Sequence, residues 1–492
     1  MITSPAFSGK RYAVLGLARS GLATVEALLA SGASVTAWDA DEIKRDVLIL
    51  PGTGRGTGEG GGGGSPSSAT LADSPLHHPA DGPPPHAVHR EELVLADPLE
   101  IDLTGYDAII VSPGVPLNKH PIAAHAKAAG VPVIGDIELF AQARASLPPH
   151  KVVGITGTNG KSTTTALIHH ILQTAGVPTL MGGNIGLPIL SRDPLLAGGV
   201  YVLELSSYQI DLTFSLDCDV AVLTNITPDH LDRYDGFEAY AASKARLFEM
   251  SSGIAVIATE DDQTRRIATS LRHAGLDPAS SSSSSPSKGS GTPDQVRGDV
   301  VEVRSTSVSA GEQMLWPALQ GPHNAQNVVC AIAATKVLGI GDLDIARALS
   351  SYPGLPHRME RVGEKHGVLY VNDSKATNAT ATAPALAAYP VIHWILGGLA
   401  KTDDLDDCAP YFDHVKSGYT IGKAGPMFAE ILRAAGKIVL ESGTLDQAVK
   451  DAAAAARSGE VVMLSPACAS FDQFKDYEAR GDAFRAAVGA LA

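Results

Sequence analysis

Three observations predict an α/β fold of three domains. Short apolar runs alternate with helical patterns along most of the chain. Its 492 residues amount to about three domains at roughly 150 residues each. Two Gly/Ser/Pro-rich stretches, 51–85 and 277–295, interrupt the alternation. Nearly free of large apolar side chains, they cannot offset the entropy of ordering and are expected as disordered insertions in surface loops.

The elements follow in order. "RYAVLGL" reads as a strand, "RSGLATVEALLASG" as a helix and "ASVTAWDAD" as a second strand, with "YDAIIVSPGV" and "VPVIGD" as further strands. These make a first domain over 1–137. The middle block, 138–354, opens on strand "KVVGITG" and a helix from Lys161. It continues through strands "VYVLELSS" and "VAVLTNIT" to the helix "GFEAYAASKARLFEM". The last block, 355–492, places strands "VIHWILGG", "GYTIG", "KIVLES" and "EVVMLSP" between helices. No fixed-period repeat is visible.

Composition narrows the function. Apolar residues make up 44% and charged residues 18%, enough for a sizeable core, and the formal charge is −15. Broad nucleic-acid binding calls for a basic surface and is not expected, whereas an anionic small substrate can still meet a local basic pocket. Cys218, Cys330, Cys408 and Cys468 form no C-x-x-C, which suits a reducing cytosol better than a disulfide framework or zinc site. No apolar run approaches the ~18 residues of a membrane span. Arg19 and Glu26 break the N-terminal apolar stretch that could pass for a signal peptide. A cytoplasmic monomer is expected.

"GITGTNGKSTTT" is the most informative segment. The usual phosphate loop, G-x-x-x-x-G-K-[ST], would need glycine where Ile155 stands; here the upstream glycine is Gly157. An apolar strand ends at the loop and a helix begins at Lys161, so unpaired backbone N–H groups face outward and attract phosphate oxygens. Gly157, Thr158, Asn159, Gly160, Lys161, Ser162, Thr163 and Thr164 are the expected cradle. Lys161 can reach the terminal phosphates, and Ser162 can offer its hydroxyl to Mg²⁺. The shortened loop disfavours ordinary GTPases and transport ATPases. A metal-holding carboxylate at a neighbouring strand end would be Glu204 of "VYVLELSSYQID", against the plainer reading of a surface acid. Asp229 and His230 follow a strand, where α/β active sites gather. A lone His there is often structural, and Lys244 could equally lie on a solvated basic face.

With "GTNGKST", "LELSSYQ", "TNITPDHLDRY", "ASKARLF", "GPHNAQN", "GLPHRME", "NDSKATN" and "SPACASFDQFKDYEARGDAF" in order over 154–484, the chain resembles the Mur ligase family. These are ATP-dependent amide-forming enzymes of peptidoglycan precursor synthesis. The resemblance implies a Rossmann-like UDP-binding domain, a central P-loop ATPase-like domain and a C-terminal Rossmann-like domain. "NDSKATN" and "SPACASFDQFKDYEARG" are similar in particular to the member that joins D-glutamate to UDP-N-acetylmuramoyl-L-alanine through an acyl phosphate. It further implies that Lys161 and Ser162 bind phosphates and one Mg²⁺ with Glu204. His230 would ligate a second Mg²⁺, and Lys244 would be the lysine that becomes carbamylated. Asn184 would lie near the muramoyl substrate, Asn324 and Asn327 at the adenine, and Arg358, Asp373 and Lys375 at the nucleotide. Thr377, Lys401, Ser470 and Tyr477 would hold D-glutamate.

The first block departs more. "GLARSG" is G-x-x-x-x-G and lacks the middle glycine that lets a dinucleotide pyrophosphate approach, so NAD is disfavoured. The resemblance gives this block to UDP, with Arg19 and Ser20 near the diphosphate, Asp39 near the uracil and Gly114 as another contact. Two rivals stay open: a sister or folylpolyglutamate-type ligase for another amino acid, and a non-enzymatic nucleotide-binding regulator on the same fold.

Overall fold

The computed structural model describes residues 1–49, 92–229, 232–276 and 299–491. Both stretches expected as insertions, and His230, lie outside the described residues. The strands form three sheets. The first contains β1 (Arg11–Leu15), β2 (Ser34–Trp38), β3 (Leu93–Leu95), β4 (Ala108–Val111) and β5 (Val133–Ile134), in order β3-β2-β1-β4-β5 and parallel throughout. The second holds β6 (His150–Thr156), β7 (Thr179–Gly183), β8 (Gly199–Glu204), β9 (Val220–Leu223), β10 (Ile254–Ala258) and β11 (Val300–Val303). Its order is β11-β10-β9-β6-β8-β7, again all parallel. The third comprises β12 (Glu360–Lys365), β13 (Val368–Asn372), β14 (Ile392–Gly397), β15 (Val415–Ile421), β16 (Ile438–Gly443) and β17 (Val461–Leu464). It runs β12-β13-β17-β14-β15-β16, with only the β12–β13 pair antiparallel.

Parallel sheets are covered on both faces, so their strands are apolar throughout rather than alternating. β4, β8, β9, β14 and β17 are buried along their whole length. Six strands were not foreseen. β12 is a half-exposed edge whose "ERVGEK" carries no apolar pattern, and β7 is an edge strand ending in two glycines. β3, β10, β11 and β13 are runs of three to five residues, too short for periodicity to assign. β2 ends at Trp38, earlier than the expected strand through Asp41, because Asp39 turns back to accept from Leu17 N at 2.7 Å.

The order places a candidate ligand crevice in each of the first two sheets. Ligands of open α/β sheets bind beyond the carboxyl ends of strands where the connection direction reverses. That point lies between β1 and β4 in the first sheet and around β6, flanked by β8 and β9, in the second. No helix among the described residues is long and apolar enough to cross a membrane.

Candidate active site

The "TGTNGKST" loop leaves β6 at the switch point, and its two glycines are dictated by contact. Gly157 has φ +145, and a Cβ there would stand 2.0 Å from Thr224 Oγ1. Gly160 has φ +83, and its Cβ would fall 2.1 Å from Asn327 Oδ1. Any side chain at either position would push the loop off its support, which explains the shifted upstream glycine. Asn225 O accepts from Thr158 N at 2.8 Å, Asn225 Oδ1 from Asn159 N at 2.9 Å, and Thr224 Oγ1 donates to Asn159 O at 2.7 Å. Thr224 and Asn225 were not foreseen, although both lie in the quoted "TNITPDH". Gly160→Ala is expected to cost at least about 1–2 kcal/mol from the left-handed backbone alone. It should also weaken nucleotide binding, measured by thermal melting and titration with ATP.

The helix Lys161–Thr174 starts behind Gly160 with no side-chain cap, so its first N–H groups remain available to an anion. Lys161 Nζ donates to Gly157 O (3.0 Å) and Thr158 O (2.8 Å), curling over the loop. Burial holds its ammonium below the usual lysine range, against the opposing charge of Glu204. Ser162 and Thr164 are buried, and Thr164 Oγ1 donates to Asn327 Oδ1 at 3.3 Å. Asn327 in turn donates to Asn324 Oδ1 at 3.2 Å. Both asparagines therefore stand directly behind the cradle.

Glu204 ends β8, the neighbouring strand. Its Oε1 accepts from Asn184 Nδ2 at 3.0 Å, while its Oε2 is buried without a partner. An orphaned buried carboxylate oxygen beside a phosphate cradle fits a cation. Among the described residues no cluster of three or more His, Cys, Asp or Glu forms. A single carboxylate suits Mg²⁺, which takes one or two carboxylates and completes its shell with phosphates and water.

Lys244 is 1% exposed. It lies on the helix Gly236–Glu249, its Nζ donating to Gly157 O at 2.8 Å and standing 4.6 Å over the Tyr240 ring. Two ammonium groups thus share one carbonyl. Burial first, and then the Lys161 charge, push the Lys244 pKa well below its usual value.

The third sheet brings further groups to the same crevice. Arg358 sits between His357 (φ 60) and Met359 (φ 48), two non-glycine residues in the left-handed region, a conformation that persists only where the surroundings enforce it. The Arg358 charge acts on both Lys161 and Lys375, and Lys375 also feels Glu204. Asp373 is buried, accepting from Ser465 Oγ (2.7 Å) and Met359 N (3.1 Å). Burial raises its pKa to about 7. A carboxyl whose folded pKa exceeds its unfolded value holds more protons when folded, so stability falls as pH rises from about 4 to about 7. Asp373→Asn should flatten that slope in denaturant titrations across the same range.

Beyond these groups, Lys401 Nζ lies 3.5 Å from Thr377 Oγ1, Ser470 is buried, and Lys375 Nζ stands 5.3 Å over the Tyr477 ring. Arg480 was not foreseen. It is 1% exposed and donates to Ser374 Oγ (3.0 Å), Ser374 O (2.8 Å) and Cys468 O (3.0 Å). It thereby ties the "NDSKATN" loop to the "SPACAS" loop. Its signal was available, since Arg480 shares the buried helix face of Phe484 and Val488.

In the first sheet, Gly16 (φ +93) and Gly21 pack where Cβ atoms would meet Ser112 at 2.9 Å and Gly16 O at 1.8 Å, which accounts for "GLARSG". Arg19 and Ser20 open the helix Arg19–Ala30, which has no side-chain cap. Despite partial burial, N–H donors from Asp41 and Leu17 and the Lys44 ammonium hold Asp39 below the usual carboxylate range. Gly114 is exposed on the loop after β4.

A Mur ligase middle domain matches residues 155–335, and a Mur ligase glutamate ligase domain matches residues 357–468. The chain belongs to the Mur ligase family, and membership of this ATP-dependent family brings ATP and Mg²⁺ with it. Two relatives are UDP-N-acetylmuramoylalanine–D-glutamate ligases: that of Zymomonas mobilis is 55% identical and that of Sphingopyxis alaskensis 57% identical, each over 100% of both chains. In fold the chain is similar to the UDP-N-acetylmuramate–alanine ligase of Thermotoga maritima, with a TM-score of 0.53 at 15% identity over 98% of this chain and 99% of that one.

Proposed function

We propose that this chain joins D-glutamate to UDP-N-acetylmuramoyl-L-alanine at the expense of ATP in the cytoplasm, through an acyl phosphate. The observation that carries the reading is full-length similarity to the D-glutamate ligases, in a chain whose third sheet brings Arg358 and Lys375 to the cradle of the second. A carboxylate is a poor electrophile because its charge repels the amine and oxide does not leave. Transfer of the γ-phosphoryl group gives it a leaving group; the amine then attacks and phosphate departs.

In this reading the three domains span 1–137, 138–354 and 355–492. Arg19, Ser20, Asp39 and Gly114 hold the UDP moiety and Asn184 the muramoyl end. Gly157 to Thr164 cradle the triphosphate. Asn324 and Asn327 serve the adenine, while Arg358, Asp373 and Lys375 complete the nucleotide site. Thr377, Lys401, Ser470 and Tyr477 orient D-glutamate, Lys401 supplying the cation that a dicarboxylate needs. Mg²⁺, when bound, would offset the repulsion among triphosphate and carboxylates. Ser162 and Glu204 are its proposed ligands at one site, with His230 and a carbamylated Lys244 serving a second.

The test is phosphate release with UDP-N-acetylmuramoyl-L-alanine and each of D-glutamate, L-glutamate and L-alanine, with mass analysis of the product. Release that depends on L-glutamate or L-alanine in place of D-glutamate, or on none of the three, would overturn the reading.

A further inference from the structure

In the connection between β9 and the helix Gly236–Glu249, residues 224–229 and 232–235 contact different sheets. At its start, Asn225 and Thr227 hold the cradle: Asn225 O accepts from Thr158 N at 2.8 Å and Thr227 O from Thr158 Oγ1 at 3.1 Å. At its far end, Arg233 donates from Nη1 to Val115 O at 3.2 Å and from Nη2 to Gly114 O at 3.1 Å. Asn118 Nδ2 donates back to Asp232 O at 3.1 Å. The Gly114–Asn118 loop leaves β4 beside β1, at the crevice of the first sheet. The two flanks of this connection therefore touch the cradle of the second sheet and the crevice of the first.

Arg233 is itself held in place. Its guanidinium lies 4.7 Å over the Tyr208 ring, four residues beyond Glu204. Tyr208 stacks on Tyr234 with centroids 6.0 Å apart and planes at 10°. Tyr234 OH donates to Asp211 Oδ2 at 2.8 Å, and Ser243 Oγ, beside Lys244 in sequence, donates to Asp211 Oδ1 at 2.7 Å. A planar guanidinium can stack face-on against a ring and engage two neighbouring carbonyls through separate N–H groups; an ammonium has no planar face to stack.

We infer that Arg233 is a positioning residue that couples occupancy of the first-sheet crevice to the geometry of the phosphate cradle. It acts through Gly114 and Val115 on one side and, on the other, through Tyr208, Tyr234 and Asp211 to the helix that carries Ser243 and Lys244, and touches no reacting atom. The inference rests on the proposed placement of the UDP-linked substrate in the first sheet. A ligand that fixes the Gly114 loop favours the docked arginine, which favours the ordered cradle. Linkage makes the effect reciprocal, so each substrate tightens the other's binding.

The experiment measures the Kd of ATP with and without saturating UDP-N-acetylmuramoyl-L-alanine, in the wild-type chain and in Arg233→Ala, Arg233→Lys and Asn118→Ala. The wild type is expected to bind ATP about tenfold more tightly when the second ligand is present. In Arg233→Ala that ratio should fall to near one, with the Kd for ATP alone changed by less than about twofold and the KM for the UDP-linked substrate raised about tenfold. Arg233→Lys and Asn118→Ala, each keeping part of the contact, should give intermediate ratios and serve if the alanine variant fails to fold. Undiminished coupling in Arg233→Ala or Arg233→Lys would overturn the inference, as would loss of ATP binding alone in parallel with thermal stability. A wild type that binds the UDP-linked substrate without coupling also overturns it while sparing the proposed function. A wild type that does not bind that substrate at all removes both.

Discussion

Lys161→Ala is expected to lower turnover by about a thousandfold, at the upper end of what loss of one preorganised charge contact costs, while the chain remains folded. The ammonium donates to two carbonyls of its own loop, Gly157 O and Thr158 O. A triphosphate offers oxygens of far greater charge, so the contact strengthens on binding and again as charge shifts during phosphoryl transfer. Removing the lysine loses that gain. Stability should not suffer, because burial and the Arg358 charge both disfavour the ammonium form of Lys161, and alanine relieves both. Thermal melting alongside phosphate release checks the two halves. A melting temperature at or above wild type with turnover nearly absent is the expected pair, whereas a kcat within tenfold of wild type would remove Lys161 from the chemistry.

The same contrast explains how far the sequence could be read. The cradle was legible because its chemistry is local: strand end, glycine, Lys161 and Ser162 fall within one turn of chain, and their order imposes the geometry. Glu204 was legible for a related reason, since β8 is apolar until that residue and pairs directly with β6. What could not be read is which distant residues close on the loop. That Gly160 backs onto Asn327, and that Thr224 blocks a side chain at Gly157, follows from the packing of segments 67 to 167 residues apart. The convergence of Lys161, Arg358 and Lys375 is likewise a product of the third sheet meeting the second. A chain of formal charge −15 gathers these cations in one crevice, and their mutual repulsion is relieved when a polyanion enters. Arg233 stood within a quoted motif, yet nothing in its spacing announced that its partners would be backbone carbonyls of the loop after β4.

Lys244→Ala separates two roles that the geometry allows. In one, the side chain is a buttress: Nζ donates to Gly157 O at 2.8 Å, so its loss would loosen the cradle, and affinity for ATP and thermal stability would fall with turnover. In the other, the buried neutral amine attacks the carbon of CO₂, releases a proton to solvent and becomes a carbamate, putting an anion near the proposed metal site where a protonated lysine would be a cation. Burial and the nearby Lys161 charge favour the neutral amine that this addition needs. The carbamate reading predicts that Lys244→Ala lowers ligation about a hundredfold or more, with the Kd for ATP held within about threefold because the other cradle contacts remain. It also predicts that wild-type turnover falls when bicarbonate is stripped from the buffer and recovers on its return, while the alanine variant shows no response. Titration calorimetry with ATP and phosphate release in matched buffers decide between them. Parallel loss of affinity and turnover, with no bicarbonate effect on the wild type, would leave Lys244 as a strut beneath Gly157.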